Sequence, residues 1–545
     1  MHTQIQPIHF LLILLFCGVQ FFLSLGDLGF VGPDEPRYAQ VAKEMLVSGD
    51  YVTPQYFGEP WLEKPSLYYW LTATAYFLFG ISEFSARLAS ALAATLGVLC
   101  VYLLGSRRSQ PREGLIASLI LATSMLYFSL ARAGSMDMLF CSALTVSWTS
   151  LFFIIFGKNR LWTDSSTNQT HWGLLALFYI FLGVAVLAKG PLGLILPVGS
   201  LVILLGFTGK LYLLSKLKPF TGLLIVVVVA LPWYWLCYQA NGWVFIEEFL
   251  LQHNLERFFT DRYQHAQPMW FFLVVVLVGF YPWSFQMFPA VWRLFRVRNS
   301  WKSSSVGENL YLWLWFLIPM IFFSLSHSKL PGYLLPAAPA IALIIAREIE
   351  LWLNRKPSDV RRIWLKDVFF YQAFTVFLVG LVLPFEVDKL NLPVHSFILQ
   401  TTSLLVGTGL IALLLYWRNH RRCLVACYVL ALSLSVFFVT QQAFPRVDAT
   451  QSSRQLAMFL QQQGLVNQRV FVFGISRNVA YGLSYYLNTK VEIIYSEGEM
   501  FYSPGTEAFF ITFPSFCAET FFSQTKVRQI ADFESLQLLR VVRPL

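Results

Sequence analysis

GDLGFVGPDEPRYAQVAKEMLVSGDYVTPQYFGEPWLEKPSL, Gly26 to Leu67, is the stretch on which the reading of this chain turns. It follows an apolar run directly and gathers Asp34, Glu35, Arg37, Lys43, Glu44, Asp50, Glu59, Glu63 and Lys64 in one short interval. Ionisable side chains inside a bilayer cost several kcal/mol unless they are paired or hydrated. The stretch therefore belongs in water or in a polar cavity at a membrane face. The expectation is that it holds the chemistry, and that the surrounding helices bring a lipid-linked substrate to it.

The rest of the chain supplies the membrane. Of 545 residues, 56% are hydrophobic and 13% charged, with a mean hydropathy of +0.57, far from the soluble average. A formal charge of +10 would suit a nucleic-acid partner, but the basic residues fall in short clusters between apolar runs. Orientation in a membrane explains such clusters better, so no nucleic-acid partner is expected. Six of the seven cysteines lie in or beside apolar runs and suggest neither a disulfide framework nor a zinc motif. The run from His9 to Leu25 lacks a basic leader and a small-residue cleavage site, and reads as an uncleaved first helix.

Apolar runs of spanning length lie near 8–26, 84–105, 114–131, 138–157, 172–188, 191–208, 219–239, 269–291, 309–325, 332–349, 367–385, 396–416 and 423–440, about thirteen membrane helices in all. With a cytoplasmic N-terminus, the inner loops carry most of the basic residues, among them Arg107, Arg108, Arg112, Arg293, Arg347 and Arg421. That asymmetry places the opening loop and the C-terminal region outside. The charges left over, Asp34, Arg37, Glu63, Lys64, Arg132, Asp137, Lys189, His253, Arg257, Arg262, His265 and Lys329, then all fall at outer helix ends. The organisation expected is a membrane domain over 1–440, with an outer loop at 27–83, and a soluble α/β domain over 441–545. In the latter, RVFVFG, VEIIYS, EAFFITF and LQLLRVV read as strands, and Ser453 to Gln463 and Asn478 to Leu487 as helices.

Three outer segments carry candidate chemistry. Asp34 and Arg37 open an amphipathic helix with Pro36 in its first turn and Tyr38, Val41, Met45 and Leu46 as its apolar stripe. Asp34 is either a helix cap or a site residue, and a cap leaves Glu63 and Lys64 in the same loop unexplained. SHSKLPGYLLP, Ser326 to Pro336, offers Lys329 and Tyr333 as interface anchors or as site residues. QHNLERFFTDRYQHAQP, Gln252 to Pro268, brings His253, Arg257, Arg262 and His265 as a solvated loop or as a third part of the site. Together they supply cations suited to a phosphate and carboxylates and imidazoles suited to acid–base or metal roles. A substrate with an anionic head and a lipid tail fits that set. A flippase of lipid-linked sugars shares these features, but transporters carry polar residues at mid-membrane and repeated halves, and neither is seen.

PDEPRYAQVAKEMLVSGDYVTPQYFGEPWLEKPSLYYWL and SHSKLPGYLLPAAP resemble the bacterial lipid A aminoarabinose transferases and their relatives, the protein O-mannosyltransferases. The resemblance implies a GT-C fold with thirteen membrane helices. It also implies inverting transfer of a sugar from a polyprenyl-phosphate donor to lipid A or another envelope acceptor, at the periplasmic face of the inner membrane. By the same resemblance Asp34 and Arg37 match the acidic and basic residues of the first outer loop, with Asp34, Arg37 and Lys64 catalytic. Lys64, Arg257, Lys329 and Tyr333 would face the donor phosphate, and Glu63 and His253 would hold a divalent metal such as zinc. Ser66 stands where the motif commonly has a second proline.

Overall fold

The computed structural model describes residues 6–157, 172–256, 267–296, 304–355, 367–388, 395–465, 468–474, 476–494, 507–512, 526–533 and 536–542. Its first part is a helical bundle. Helix α1 (Pro7–Cys17) continues as a wider turn over Gly18–Phe22, and α2 (Asp34–Ser48) lies in the loop that follows. Then come α3 (Leu67–Phe79), α4 (Glu83–Arg108), α5 (Pro111–Thr123), α6 (Met125–Ala131), α7 (Met136–Phe156) and α8 (Trp172–Lys189).

Among the described residues eight helices are long and apolar enough to cross a membrane, or ten if each bent pair is one span. The protein is thus a multi-pass membrane protein, and the described residues do not confirm the expected count of thirteen. Every one of the thirteen runs contains helix, yet hydropathy does not see bends or short elements. The 114–131 run breaks at Ser124 into α5 and α6, bent by 67°, and the 269–291 run breaks by 113° between Phe271–Gly279 and Trp283–Phe295. Pro7–Phe22 and Leu192–Phe207 are short apolar helices, and the 332–349 run opens as a 3-10 turn, Pro331–Ala337, before the helix Ala338–Leu353.

With 26 residues, α4 is about 39 Å long, and its two ends differ in chemistry. At the Arg108 end, fully buried Glu113 pairs with Arg108 at 3.1 Å and Arg347 at 3.0 Å, and Glu348 with Arg293 at 2.8 Å. Glu350 accepts from Arg112 Nε at 2.8 Å. Basic residues expected from the sequence to orient the chain clamp its helices together here. At the Glu83 end lie α2 and the C-terminal domain.

That domain has a five-stranded sheet of order β4-β3-β5-β7-β6, made of β3 (Val470–Phe473), β4 (Glu492–Ile494), β5 (Glu507–Thr512), β6 (Lys526–Phe533) and β7 (Leu536–Val542). Strand β3 runs parallel to β4 and β5, while β7 is antiparallel to β5 and β6. Helices Arg454–Gln462 and Arg477–Leu487 pack on it through Leu456, Leu460, Leu483 and Leu487 against Val470, Val472, Phe509 and Ile511. The four strands and two helices expected from sequence are present. Strand β6, KVRQIADF, has little apolar alternation, so the sequence pattern does not signal it.

Candidate active site at the loop end of the bundle

Helix α2 takes its place from a buried ion pair. Arg87 on α4 holds Glu35 through Nε at 2.8 Å and Nη2 at 2.9 Å. Its remaining N–H groups reach the carbonyls of Leu25 (3.0 Å), Leu28 (2.6 Å) and Gly29 (3.1 Å), so all five donors are used. Glu35 also accepts from the amide of Gly134 at 2.7 Å. Tyr38, Val41, Ala42 and Met45 are buried at helical spacing, and Gly49 at φ 72° ends the helix with its amide on the Met45 carbonyl.

With Glu35 buried, Asp34 is left half exposed. Pro33 occupies the cap position, and Asp34 bonds not to a backbone amide but to the guanidinium of Arg37. The capping alternative is therefore excluded. Arg37 also donates from Nε to the Pro33 carbonyl at 3.0 Å. Its guanidinium lies between two rings, 5.2 Å from the centroid of Trp61 and 4.8 Å from that of Tyr481. Burial disfavours its charge, but Asp34, Tyr38, Glu63 and Tyr481 outweigh burial and raise the pKa further above its usual value. Arg37 is a fixed cation.

The second part of the site hangs from a hairpin. Strands β1 (Gln55–Tyr56) and β2 (Glu59–Pro60) are joined by Phe57 and Gly58, both at positive φ (51° and 79°), as a two-residue primed turn requires. Glu44 on α2 accepts the amides of Phe57 (2.8 Å) and Gly58 (3.1 Å), which holds the turn in place. The chain leaves it through Trp61 to Leu62, which is buried against Leu187, Trp233 and Phe249. Glu63 and half-buried Lys64 follow. Oε1 of Glu63 lies 3.8 Å from Nε2 of His253, on the helical segment Ile246–Glu256. Burial, then Glu63 and Glu247, raise the pKa of the neighbouring Glu248 carboxyl. Among the described residues no group of three His, Cys, Asp or Glu is placed to hold a metal. Glu63 and His253 are two donors, short of a full set. Arg257, Arg262 and His265 lie outside the described residues.

The third part is the Ser326–Pro336 segment. Asn309, near the start of helix Ser304–Leu325, bonds Arg108, so the other end of that helix and Lys329 beyond it lie at the loop end, as Lys64 does. Lys329 is buried. Lys189, the last residue of α8, sits 5.0 Å from the ring centroid of Tyr333 and is paired with Asp137 at the start of α7. Leu187, two residues earlier, packs with Leu62, which ties this part to Glu63 and Lys64. Arg132, also one of the outer charges, does a different job: it donates to the carbonyls of Gln20 (3.1 Å) and Ser24 (2.9 Å) at the end of the first helical segment.

An apolar cavity of about 520 Å³ opens between α3, α4, α7 and α8, lined by Leu67, Leu71, Leu78, Leu92, Leu139 and Phe181 among others. The C-terminal domain closes over α2 and the residues that lead into it. Asp448 accepts the amide of Gly29 at 2.7 Å, the Tyr486 hydroxyl accepts that of Phe30 at 2.9 Å, and Lys43 donates to Asn488 at 2.9 Å. Sequence reasoning named Asp34, Arg37, Glu63, Lys64, His253, Arg257, Lys329 and Tyr333 as site residues, of which Arg257 lies outside the described residues, and listed Asp137 and Lys189 only as outer charges. It missed Trp61 and Tyr481 at Arg37. Both are aromatic residues in aromatic-rich surroundings, and nothing local marks them.

Comparison with known proteins agrees with this architecture. Residues 11–247 match the family of dolichyl-phosphate-mannose-protein mannosyltransferases. The chain is 32% identical to the undecaprenyl phosphate-alpha-4-amino-4-deoxy-L-arabinose arabinosyl transferase 1 of Pseudomonas fluorescens, over 66% of this chain and 61% of that one. It is 28% identical to the corresponding transferase of Shewanella sediminis, over 82% and 78%. The chain thus spans less than two thirds of the length of the first of these relatives. The crystal structure of ArnT from Cupriavidus metallidurans bound to undecaprenyl phosphate superposes with a TM-score of 0.79 at 23% identity, covering 97% of both chains. The fold is the GT-C fold of that protein.

Proposed function

We propose that this chain, similar in sequence to aminoarabinosyl transferases and sharing the ArnT fold, is a glycosyltransferase of the inner membrane. It moves an aminoarabinose-like sugar from an undecaprenyl-phosphate donor to lipid A, or to another envelope acceptor, on the periplasmic face. The observation that carries the reading is the convergence at one end of the bundle. Arg37, Lys64, Lys189 and Lys329, with Asp34, Glu63 and Asp137, arrive there from separate segments, and an apolar cavity whose lining starts at Leu67, three residues after Lys64, lies between α3, α4, α7 and α8. A polyprenyl tail suits that cavity, and its phosphate then lies at Lys64. The basic residues at the Arg108 end support a cytoplasmic position for that end.

In this mechanism an acceptor oxygen attacks the anomeric carbon, the bond from that carbon to the carrier phosphate breaks, and undecaprenyl phosphate leaves with the negative charge. Lys64 and Arg37 stabilise that charge in a poorly hydrated site. Asp34 takes the proton of a hydroxyl acceptor; a phosphate acceptor is already anionic, and Asp34 then orients it. Glu63 and His253 are the residues that would hold a divalent metal, where it would offset charge on the leaving phosphate; no step above depends on it.

The test is the purified full-length protein with undecaprenyl-phosphate aminoarabinose and lipid A, followed by mass spectrometry. A lipid A product bearing the added sugar is expected. Unchanged donor carried across a vesicle membrane overturns the reading in favour of a flippase. Transfer to a serine or threonine hydroxyl alone moves the acceptor to protein, the chemistry of the matched mannosyltransferase family.

A further inference from the structure

The guanidinium of Arg37 is flanked by two rings that come from parts of the chain far apart in sequence. Trp61 comes from the outer loop at 5.2 Å, and Tyr481, from helix Arg477–Leu487 of the C-terminal domain, at 4.8 Å. Tyr56 joins the cage, with its ring centroid 5.5 Å from that of Trp61 and 6.2 Å from that of Tyr481. A guanidinium between aromatic faces keeps its edges for hydrogen bonds while losing its freedom to rotate out of plane. Here Nε is committed to Pro33 and Nη2 to Asp34. Nη1 makes no hydrogen bond among the described residues and is the edge left for a substrate phosphate.

We propose that Tyr481 is a positioning residue for Arg37, so that the C-terminal domain supplies one wall of the active site and is more than a separate outer module. The inference rests on the proposed function. It adds that activity depends on the π face of residue 481 and not only on the docking of the domain. Docking has its own anchors, Asp448 on Gly29 and Tyr486 on Phe30 and Glu83, none of which involves Tyr481.

The experiment uses full-length protein and undecaprenyl-phosphate aminoarabinose. Tyr481→Phe keeps the ring and should hold kcat within about twofold of wild type, whereas Tyr481→Leu keeps apolar volume without the π face and should lower kcat by about tenfold. In an Arg37→Gln background, whose residual rate must be measurable, Tyr481→Leu should add no further loss, because there is no guanidinium left to position. Hydrogen exchange at the amides of Gly29 and Phe30 should be the same in wild type and Tyr481→Leu. The proposal is overturned if Tyr481→Leu retains wild-type kcat or if Phe and Leu lose equally. It is also overturned if the two amides exchange faster in the leucine variant, since the loss would then come from undocking. A wild-type chain that forms no product with any acceptor refutes the glycosyltransferase reading instead, and is told apart because it needs no variant.

Discussion

Asp448 Oδ1 accepts the backbone amide of Gly29 at 2.7 Å, across 419 residues of sequence. The same carboxylate holds Arg454 at 2.6 Å, and Arg454 reaches the Asp27 carbonyl at 2.7 Å. The start of the Gly26–Leu67 loop is thus pinned by the C-terminal domain. A methyl group on Gly29 would fall on Ser452 Oγ and Asp448 Oδ1. Gly29→Ala is therefore expected to loosen the domain and to expose the break at Ser452–Ser453, between helices Phe444–Gln451 and Arg454–Gln462, to protease, with the membrane bundle still folded. Limited proteolysis of variant and wild type in the same detergent checks this.

Lys64→Ala should lower turnover at least about 100-fold, the scale for removing one preorganised group from a developing anion, with no change in elution on size exclusion. A wild-type rate in that variant removes Lys64 from the site.

Asp34→Asn separates two roles for one residue. A general base is worth about 10² to 10⁴ in rate, so the variant should lose on that scale with a hydroxyl acceptor and only slightly with a phosphate acceptor. Equal losses with both would mean that Asp34 acts through Arg37 alone.

The pair Glu35–Arg87 is an ion pair whose members are at most 10% exposed. Breaking such a pair from one side costs about 3–5 kcal/mol, because the other charge stays buried. Arg87→Met alone should therefore lower the thermal midpoint more than the combined Glu35→Leu, Arg87→Met change does. Fluorescence-monitored melting of the two variants compares them.

Glu248 gives a pH-dependent outcome. Burial first, and then Glu63 and Glu247, raise its folded pKa above the ordinary carboxylate value. A raised acid pKa means that the folded state favours the protonated form. The carboxyl thus costs stability above its folded pKa and nothing below the ordinary range. Glu248→Gln should raise the thermal midpoint by a few degrees at pH 7 and leave it unchanged near pH 3. A gain of equal size at both pH values would point to packing instead.

Much of this was legible without coordinates. Charge density in Gly26–Leu67 marked the loop, apolar runs marked the helices, and the asymmetry of Arg and Lys separated the two ends. Glu35 shows the limit of that reading. It is an acidic residue beside Asp34, and only packing reveals that Arg87 buries one of them and leaves the other beside Arg37. Likewise Asp137 and Lys189 are two isolated charges in sequence and one ion pair under Tyr333 in space.

The sequence by itself determined that this is a membrane-embedded bundle with one charged, aromatic-rich face, because hydropathy and charge are sums over neighbouring residues and need no fold. Only the tertiary structure decided where helices bend, as at Ser124. It also decided which distant groups meet: His253 with Glu63, Tyr481 with Arg37, Asp448 with Gly29. Those meetings depend on how helices pack in three dimensions, and contacts between residues hundreds of positions apart leave no periodicity along the chain.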